Sequence, residues 1–312
     1  MTFARAPARE EGVVRLRPGG LLAVLLLAVL TACGSETAAP PVPTGTIRFA
    51  SYDFQENQIL AEVYAQAVRM QELPVSVQHG IGTREVVAPA LQQGVVDVVV
   101  DYLGTALIFA RPEFSDPPET PEEMYAVLAR TMGGRGVSVL DVARAEDQNG
   151  FAVTQDFATR NGVNRLSDLA PLASELVFGG PPECPERPLC LLGLEEAYGL
   201  KFGEVLPMPT RGATVEALQT GQIDVGLLET TDARLDVAPV VLLADDRGLQ
   251  PHENVVPLVR TEVAERWGRR LTDALNEASA RLTTDDLRRL NRWVEIDGMS
   301  PEDAAARWWD GG

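Results

Sequence analysis

The chain says nearly the same thing twice. ALQQGVVDVVVDYLGT at 90–105 returns as ALQTGQIDVGLLETTD at 217–232, an offset of 127 residues with six identities in the first nine positions. Each copy reads as the last turn of a helix, a Gly where helices end with positive φ, and an apolar β-rich run carrying one Asp. In a chain rich in Ala, Leu, Gly and Val the letters alone are weak evidence, and the shared helix-stop-strand context is the stronger. Two such steps predict two similar α/β lobes. Residues after each strand, Asp101 to Thr105 and Glu229 to Asp232, then lie at the carboxyl ends of sheet strands, where open α/β sheets bind ligands.

The remaining pattern extends this frame. From Thr46 strands and helices alternate, which predicts two mostly parallel sheets flanked by helices. Thr46 to Ala50 reads as a strand; Gln55 to Gln71 is a helix with Ile59, Leu60, Val63, Ala67 and Val68 on one stripe, with Asp53 and Glu56 as a capping pair at its start. Thr120 caps a later helix with Pro121 at its first position. Near Asp147 to Gly150 the chain passes into a second lobe, and Ala244 to Gly248 reads as the return. The expected division is 46–147 with 246–312 for the first lobe and 148–245 for the second. Two crossings make a hinge, and closure of two lobes about a hinge traps ligands.

The first 33 residues are different in kind. Arg15 and Arg17 precede LLAVLLLAVL at 21–30, then Thr31, Ala32 and Cys33. Ten apolar residues are too few to cross a hydrocarbon core that needs roughly 20, whereas a basic flank, a short apolar core and small residues suit a secretory signal. Leu-Thr-Ala-Cys resembles a bacterial lipobox, which implies cleavage before Cys33 and lipidation of its sulfur, tethering the mature chain to a membrane outside the cytoplasm. Glu10 and Glu11 do not fit a basic n-region, so translation is expected to start at Val13 or Val14. An unprocessed precursor peptide containing Met1 to Arg9 would overturn that. Residues 34–45, GSETAAPPVPTG, are a polar, Pro-rich linker.

Removing the signal takes away four Arg and two Glu, moving the net charge from −18 to −20. That balance disfavours nucleic acid and favours neutral or cationic partners, although plain solubility also accounts for it. Cys184 and Cys190 then remain, six apart in a Pro-rich loop of an exported protein, a pattern that suggests a disulfide. No metal or other cofactor is expected, because the only histidines, His79 and His252, lack ligand spacing. Nor is an enzyme: there is no Gly-x-Ser-x-Gly elbow and no phosphate-binding Gly-Lys-Ser/Thr loop.

Several segments are familiar as a set. SYDFQENQILAEVYAQAV, GIGTREVVAPALQQGVVDVVVDYLGTAL, FGGPPECPERPLCLLGLEEAYGL, VEALQTGQIDVGLLETTD and LTTDDLRRLNRWVEIDG resemble the extracytoplasmic substrate-binding proteins of ABC importers for osmoprotectants, the glycine betaine, choline and carnitine group. The likeness covers about residues 46–309. It implies the two-lobed periplasmic-binding-protein fold, a monomer delivering a small solute to an ABC permease, and a cage of aromatic rings around a quaternary ammonium. Such a cation donates no hydrogen bonds, so ring faces select it, each contributing about 0.5–2 kcal/mol.

On this resemblance Tyr102 fits a Tyr-x-Gly-Thr segment and is the first cage ring, with Thr105 hydrogen-bonding nearby. Tyr52 stands where many relatives carry Lys, beside Asp53 and Phe54, and loss of that Lys argues for a cation such as choline over a zwitterion. Relatives place a cage tyrosine after the Asn of DQNGF, but here Asn149 is followed by Gly150 and Phe151, so Asp147, Gln148 and Asn149 offer polar contacts instead. In the second lobe Glu229, Thr230 and Asp232 supply polar groups and no ring. Each has a duller alternative: a buried strand end for Tyr102, the core for Phe54 and Phe151, a helix cap for Asp53, a solvated surface for Glu229 and Asp232. The functional alternatives are another small solute, such as ergothioneine, and a sensory receptor without transport.

Overall fold

The computed structural model describes residues 45–112, 118 and 120–311; the expected signal, Cys33 and nearly all of the linker lie outside them. These described residues form one compact unit. It contains two five-stranded sheets, each buried on both faces.

In the first lobe β1 (Ile47–Ala50), β2 (Val75–Gln78) and β3 (Val98–Tyr102) run parallel, and β10 (Val255–Arg260) lies antiparallel between β3 and β4 (Val137–Val139), in the order β2-β1-β3-β10-β4. Alternation along β3 sends Val98, Val100 and Tyr102 to one core and Val99 to the other, as a strand's two-residue period requires. Helix α1 (Gln55–Met70) covers the first face with Ile59, Leu60, Val63, Ala67 and Val68, joined by α8 (Thr261–Trp267), α9 (Arg269–Arg281), α10 (Thr284–Glu295) and α11 (Pro301–Trp309). Trp267, Trp293, Trp308 and Trp309 are all buried there. The opposite face is covered by α2 (Arg84–Gln92), α3 (Leu103–Ala110) and α4 (Pro121–Gly133). Thr120 accepts a bond from the Glu123 N–H and so caps α4, with Pro121 at its first position.

The second lobe repeats this arrangement. Its order is β7-β6-β8-β5-β9, from β5 (Asn149–Thr154), β6 (Val177–Gly180), β7 (Glu204–Pro207), β8 (Val225–Glu229) and β9 (Val240–Leu243), with α5 (Gln155–Asn161), α6 (Leu191–Tyr198) and α7 (Arg211–Thr220) around it. The duplicated stretch is therefore the central strand of each sheet. Gly94 and Gly221, at φ +76° and +73°, end the preceding helices. Asp97 and Asp224 then do the same work twice: each carboxylate accepts the N–H of a residue on the neighbouring strand, Arg48 or Val177, and each backbone N–H returns a bond to that residue's carbonyl. An Asp in each copy is thus a clamp between adjacent strands.

In each sheet four of the five strands run one way, as the mostly parallel expectation has it, and only β10 and β5, which bring the chain in from the other lobe, run against them. The return crossing lies beyond the expected 245/246 boundary. Ala244 bridges Arg165, Asp245 accepts the Leu249 and Gln250 N–H groups, Asp246 holds Ser167, and Leu249 packs on the second-lobe core. The chain crosses at Gln250–Glu253, beside the outgoing strand: Asp147 N–H donates to the Glu253 carbonyl, and Glu146 pairs with Asn254.

Cys184 and Cys190 are disulfide-bonded, with Cα atoms 5.4 Å apart, and both are buried in the second lobe. Closing so short a loop contributes at most about 2 kcal/mol. Urea denaturation of Cys184→Ser should show a loss no larger than that, with the fold retained.

Candidate functional site

The carboxyl ends of the two central strands carry Tyr102 in the first lobe and Glu229 in the second, at matching places in the repeat. The first-lobe side is built by the turn after β1. Asn57, wholly buried in α1, accepts the Tyr52 N–H and donates to the Val100 carbonyl, fixing that turn against β3. Tyr52, Phe54 and Tyr102 then stack in sequence, with centroids 6.0 and 6.1 Å apart and interplanar angles of 14° and 27°. They form a stack, not a box. Phe54 is 41% exposed, whereas Tyr52 and Tyr102 are 2% and 6% exposed.

Hydrogen bonds fix both tyrosines. Tyr52 donates its hydroxyl to Asp101 at 2.6 Å, and Arg84, paired with Asp101 at 2.6 Å, lies 4.7 Å over the Tyr52 ring. Burial, reinforced by Asp101 and opposed by Arg84, pushes the Tyr52 hydroxyl well above its usual range. Burial also opposes the Arg84 charge, but Asp101 outweighs it and raises the guanidinium. Tyr102 donates to Glu56 at 2.6 Å; burial, then Glu56 and Asp147, keep that hydroxyl protonated. Tyr52 is therefore a support behind Phe54, not an open ring.

Other candidates occupy different roles. Asp53 is exposed and makes no cap; the residue before α1 is Phe54, whose apolar side chain cannot cap it. Glu56, expected as its capping partner, is drawn inward by Tyr102 and Asn291. Phe151 is a core residue at 1% exposure, packed on Phe178, because alternation along β5 turns it away from the cleft. Thr105 donates through N–H and hydroxyl to Glu253. Asn149 donates to Gln250 and the Leu189 carbonyl at the crossing. Glu229 is paired with Arg211. Thr230 belongs to the hinge: its N–H donates to the Gln148 carbonyl, and its hydroxyl accepts the Gln148 N–H. Asp232 is buried, capping the short turn 233–236 and holding Arg234, which reaches Glu295 of α10.

Asp147, expected to offer a polar contact, and Arg211, which sequence patterns did not single out, complete the site. Asp147 lies at the crossing, accepts the Thr231 hydroxyl and keeps part of its surface open. Arg211 opens α7 just after its cap Thr210; burial lowers its pKa, while Asp232, Asp147 and Glu183 oppose that shift. Arg211 also lines a cavity of about 1090 Å³ between the crossing and the disulfide loop, together with Gln148, Asn149, Gln250, His252 and Ile108. No Phe, Tyr or Trp lines it among the described residues. The only legible signal for Arg211 was its place at the start of the helix whose last turn begins the second copy of the repeat.

With this geometry in view, comparison with known proteins is informative. Residues 45–311 match the substrate-binding domain of ABC-type glycine betaine transport systems. A glycine-betaine-binding protein of Pseudomonas aeruginosa is 28% identical over 90% of this chain and 93% of its own. The glycine betaine-binding protein YehZ of Escherichia coli is 25% identical over 86% of this chain and 90% of its own. Among solved structures, a glycine betaine/carnitine/choline ABC transporter protein superposes with a TM-score of 0.78 at 22% identity, covering 85% of this chain and 98% of that one.

Proposed function

Because the chain belongs to the family of substrate-binding domains of ABC-type glycine betaine transport systems, we propose that it is a receptor that captures a quaternary ammonium osmoprotectant, choline, glycine betaine or similar, between its lobes and hands it to an ABC permease. The family consists of solute-binding proteins acting outside the cytoplasm, not enzymes. Anchoring through a lipidated Cys33 and a monomeric state belong to the same proposal.

One observation carries it: the Phe54 ring lies exposed against Tyr102, on which Glu56 and Asp147 act, with Glu253 beside Asp147. A methylated ammonium is attracted to a ring face by the ring quadrupole and to carboxylates by charge, and both attractions strengthen as water leaves. Micromolar affinity requires about 8 kcal/mol, more than one ring supplies, so carboxylates must share in it. A second reading, a bulkier solute with its own carboxylate, such as ergothioneine, draws on Arg211 and the size of the adjoining cavity.

Ligand at a hundred times its Kd should stabilise the folded chain by about 2.7 kcal/mol. Denaturation with and without choline or glycine betaine measures this, and no shift with either would count against the proposal. Phe54→Ala should weaken binding by about 2- to 30-fold, the range of one cation–π contact. It should leave the unliganded melting temperature nearly unchanged, because the ring is already half in solvent.

A further inference from the structure

Three carboxylates from separate segments meet around Asp147 of the outgoing crossing: Glu56, from the first turn of α1, and Glu253, of the return crossing, both act on it, and Glu56 and Asp147 act on Tyr102. Their partners are neutral. Glu56 accepts the Tyr102 hydroxyl and Asn291 Nδ2, Asp147 accepts the Thr231 hydroxyl, and Glu253 accepts the Thr105 N–H and hydroxyl. The two nearest guanidiniums are already engaged, Arg84 by Asp101 and Arg211 by Glu229. Asn291, 4% exposed, holds Glu56 and the Thr231 carbonyl through Nδ2 and leaves its Oδ1 without a partner. The cluster thus concentrates negative charge beside an exposed aromatic ring with no cation of its own.

Burial raises the Asp147 carboxyl well above its usual range; Glu56 and Glu253 add to this, while the Thr231 hydroxyl and Arg211 oppose it. Burial likewise pushes Glu253 up to about 7, with Asp101 adding and the Thr105 bonds and Arg84 opposing. Asp147 and Glu253 therefore hold their protons more tightly than free carboxylates do, and the two titrate as a pair. Glu229 and Asp232 from the second lobe and the Glu146–His252 pair of the crossings, 3.5 Å apart, complete the charged surroundings.

Resting on the reading of the cleft as a quaternary ammonium site, we infer that an organic monocation binds in exchange for a proton shared by Asp147 and Glu253, whereas a zwitterion, which brings its own carboxylate, binds without that exchange. The proton leaves to solvent. A fixed positive charge stabilises the ionised cluster, so its proton affinity falls on binding, and by linkage affinity rises with pH until the cluster is ionised without ligand. The site then distinguishes choline-like cations from betaines by charge, through groups that never donate a bond to the ligand.

The test is calorimetry of the chain from Gly34 onward, which contains the whole compact unit, with choline and glycine betaine between about pH 6 and pH 8. Choline affinity should rise with a limiting slope of about tenfold per pH unit for one proton. Its heat at about pH 7.5 should differ between phosphate and Tris, which absorb the released proton with different enthalpies. Glycine betaine should change less than about twofold per unit on the same linkage. Asp147→Asn, which can still accept the Thr231 hydroxyl, should flatten the choline slope and cost at least about tenfold in choline affinity near pH 8. Choline binding that is independent of pH and buffer would overturn the inference alone. So would a slope that survives both Asp147→Asn and Glu253→Gln. Failure of folded protein to bind either ligand at any pH would overturn the quaternary ammonium reading with it.

Discussion

Tyr102→Ala is expected to weaken binding of the quaternary ammonium ligand at least tenfold, about 1.4 kcal/mol, and to destabilise the unliganded chain as well. The two effects have separate causes. The ring backs Phe54 at 6.1 Å, so its removal frees Phe54 to turn away from the cleft. It also leaves a void in the first-lobe core and deprives buried Glu56 of the hydroxyl at 2.6 Å. Truncating a buried aromatic to Ala costs about 3–5 kcal/mol. Tyr102→Phe separates the two: it keeps the ring and removes only the hydroxyl, so it should retain most of the affinity while losing about 1–3 kcal/mol of stability. Titration and urea denaturation of both variants check this. Tyr102→Ala with unchanged affinity would remove Tyr102 from the site.

Asn57→Ala is expected to lower stability by about 2–6 kcal/mol, since two buried backbone groups lose their partners at once, each at about 1–3 kcal/mol. The Tyr52 N–H, just after β1, and the Val100 carbonyl, in the middle of β3, are the groups concerned. Because this amide sets the turn that presents Phe54, ligand affinity should fall too. Chemical denaturation measures the first effect, and a loss below about 1 kcal/mol would mean that water replaces the amide on both groups.

The repeat made the architecture legible. Its helix-stop-strand step has a strong physical signature, a positive-φ Gly between two kinds of periodicity, and it marked the central strand of each sheet and the ends where Tyr102 and Glu229 lie. Sheet sense was less legible, because whether β5 and β10 run with or against their neighbours depends on how the chain re-enters each lobe. Which of its two readings, core or ligand contact, fits Phe151 was not legible for a related reason. One position after Gly150 moves a strand residue to the opposite face, and only the register with β8 and β9 shows which face that is. Asp53 and Glu56 fitted a capping pattern, but Tyr102 and Asn291, 46 and 235 residues away from Glu56, claim that carboxylate. Arg211 and Glu253 carry no motif at all. Their roles come from partners brought together by the fold, which no local pattern encodes.

The central claim, a receptor for quaternary ammonium solutes, is tested most directly by isothermal titration of the chain from Gly34 to Gly312, freed of co-purified ligand, with choline, glycine betaine, carnitine, proline betaine and ergothioneine. The account predicts binding at micromolar Kd or tighter, about 8 kcal/mol or more, for at least one quaternary amine. A protein shown to be folded that gives no heat with any of the five would contradict it.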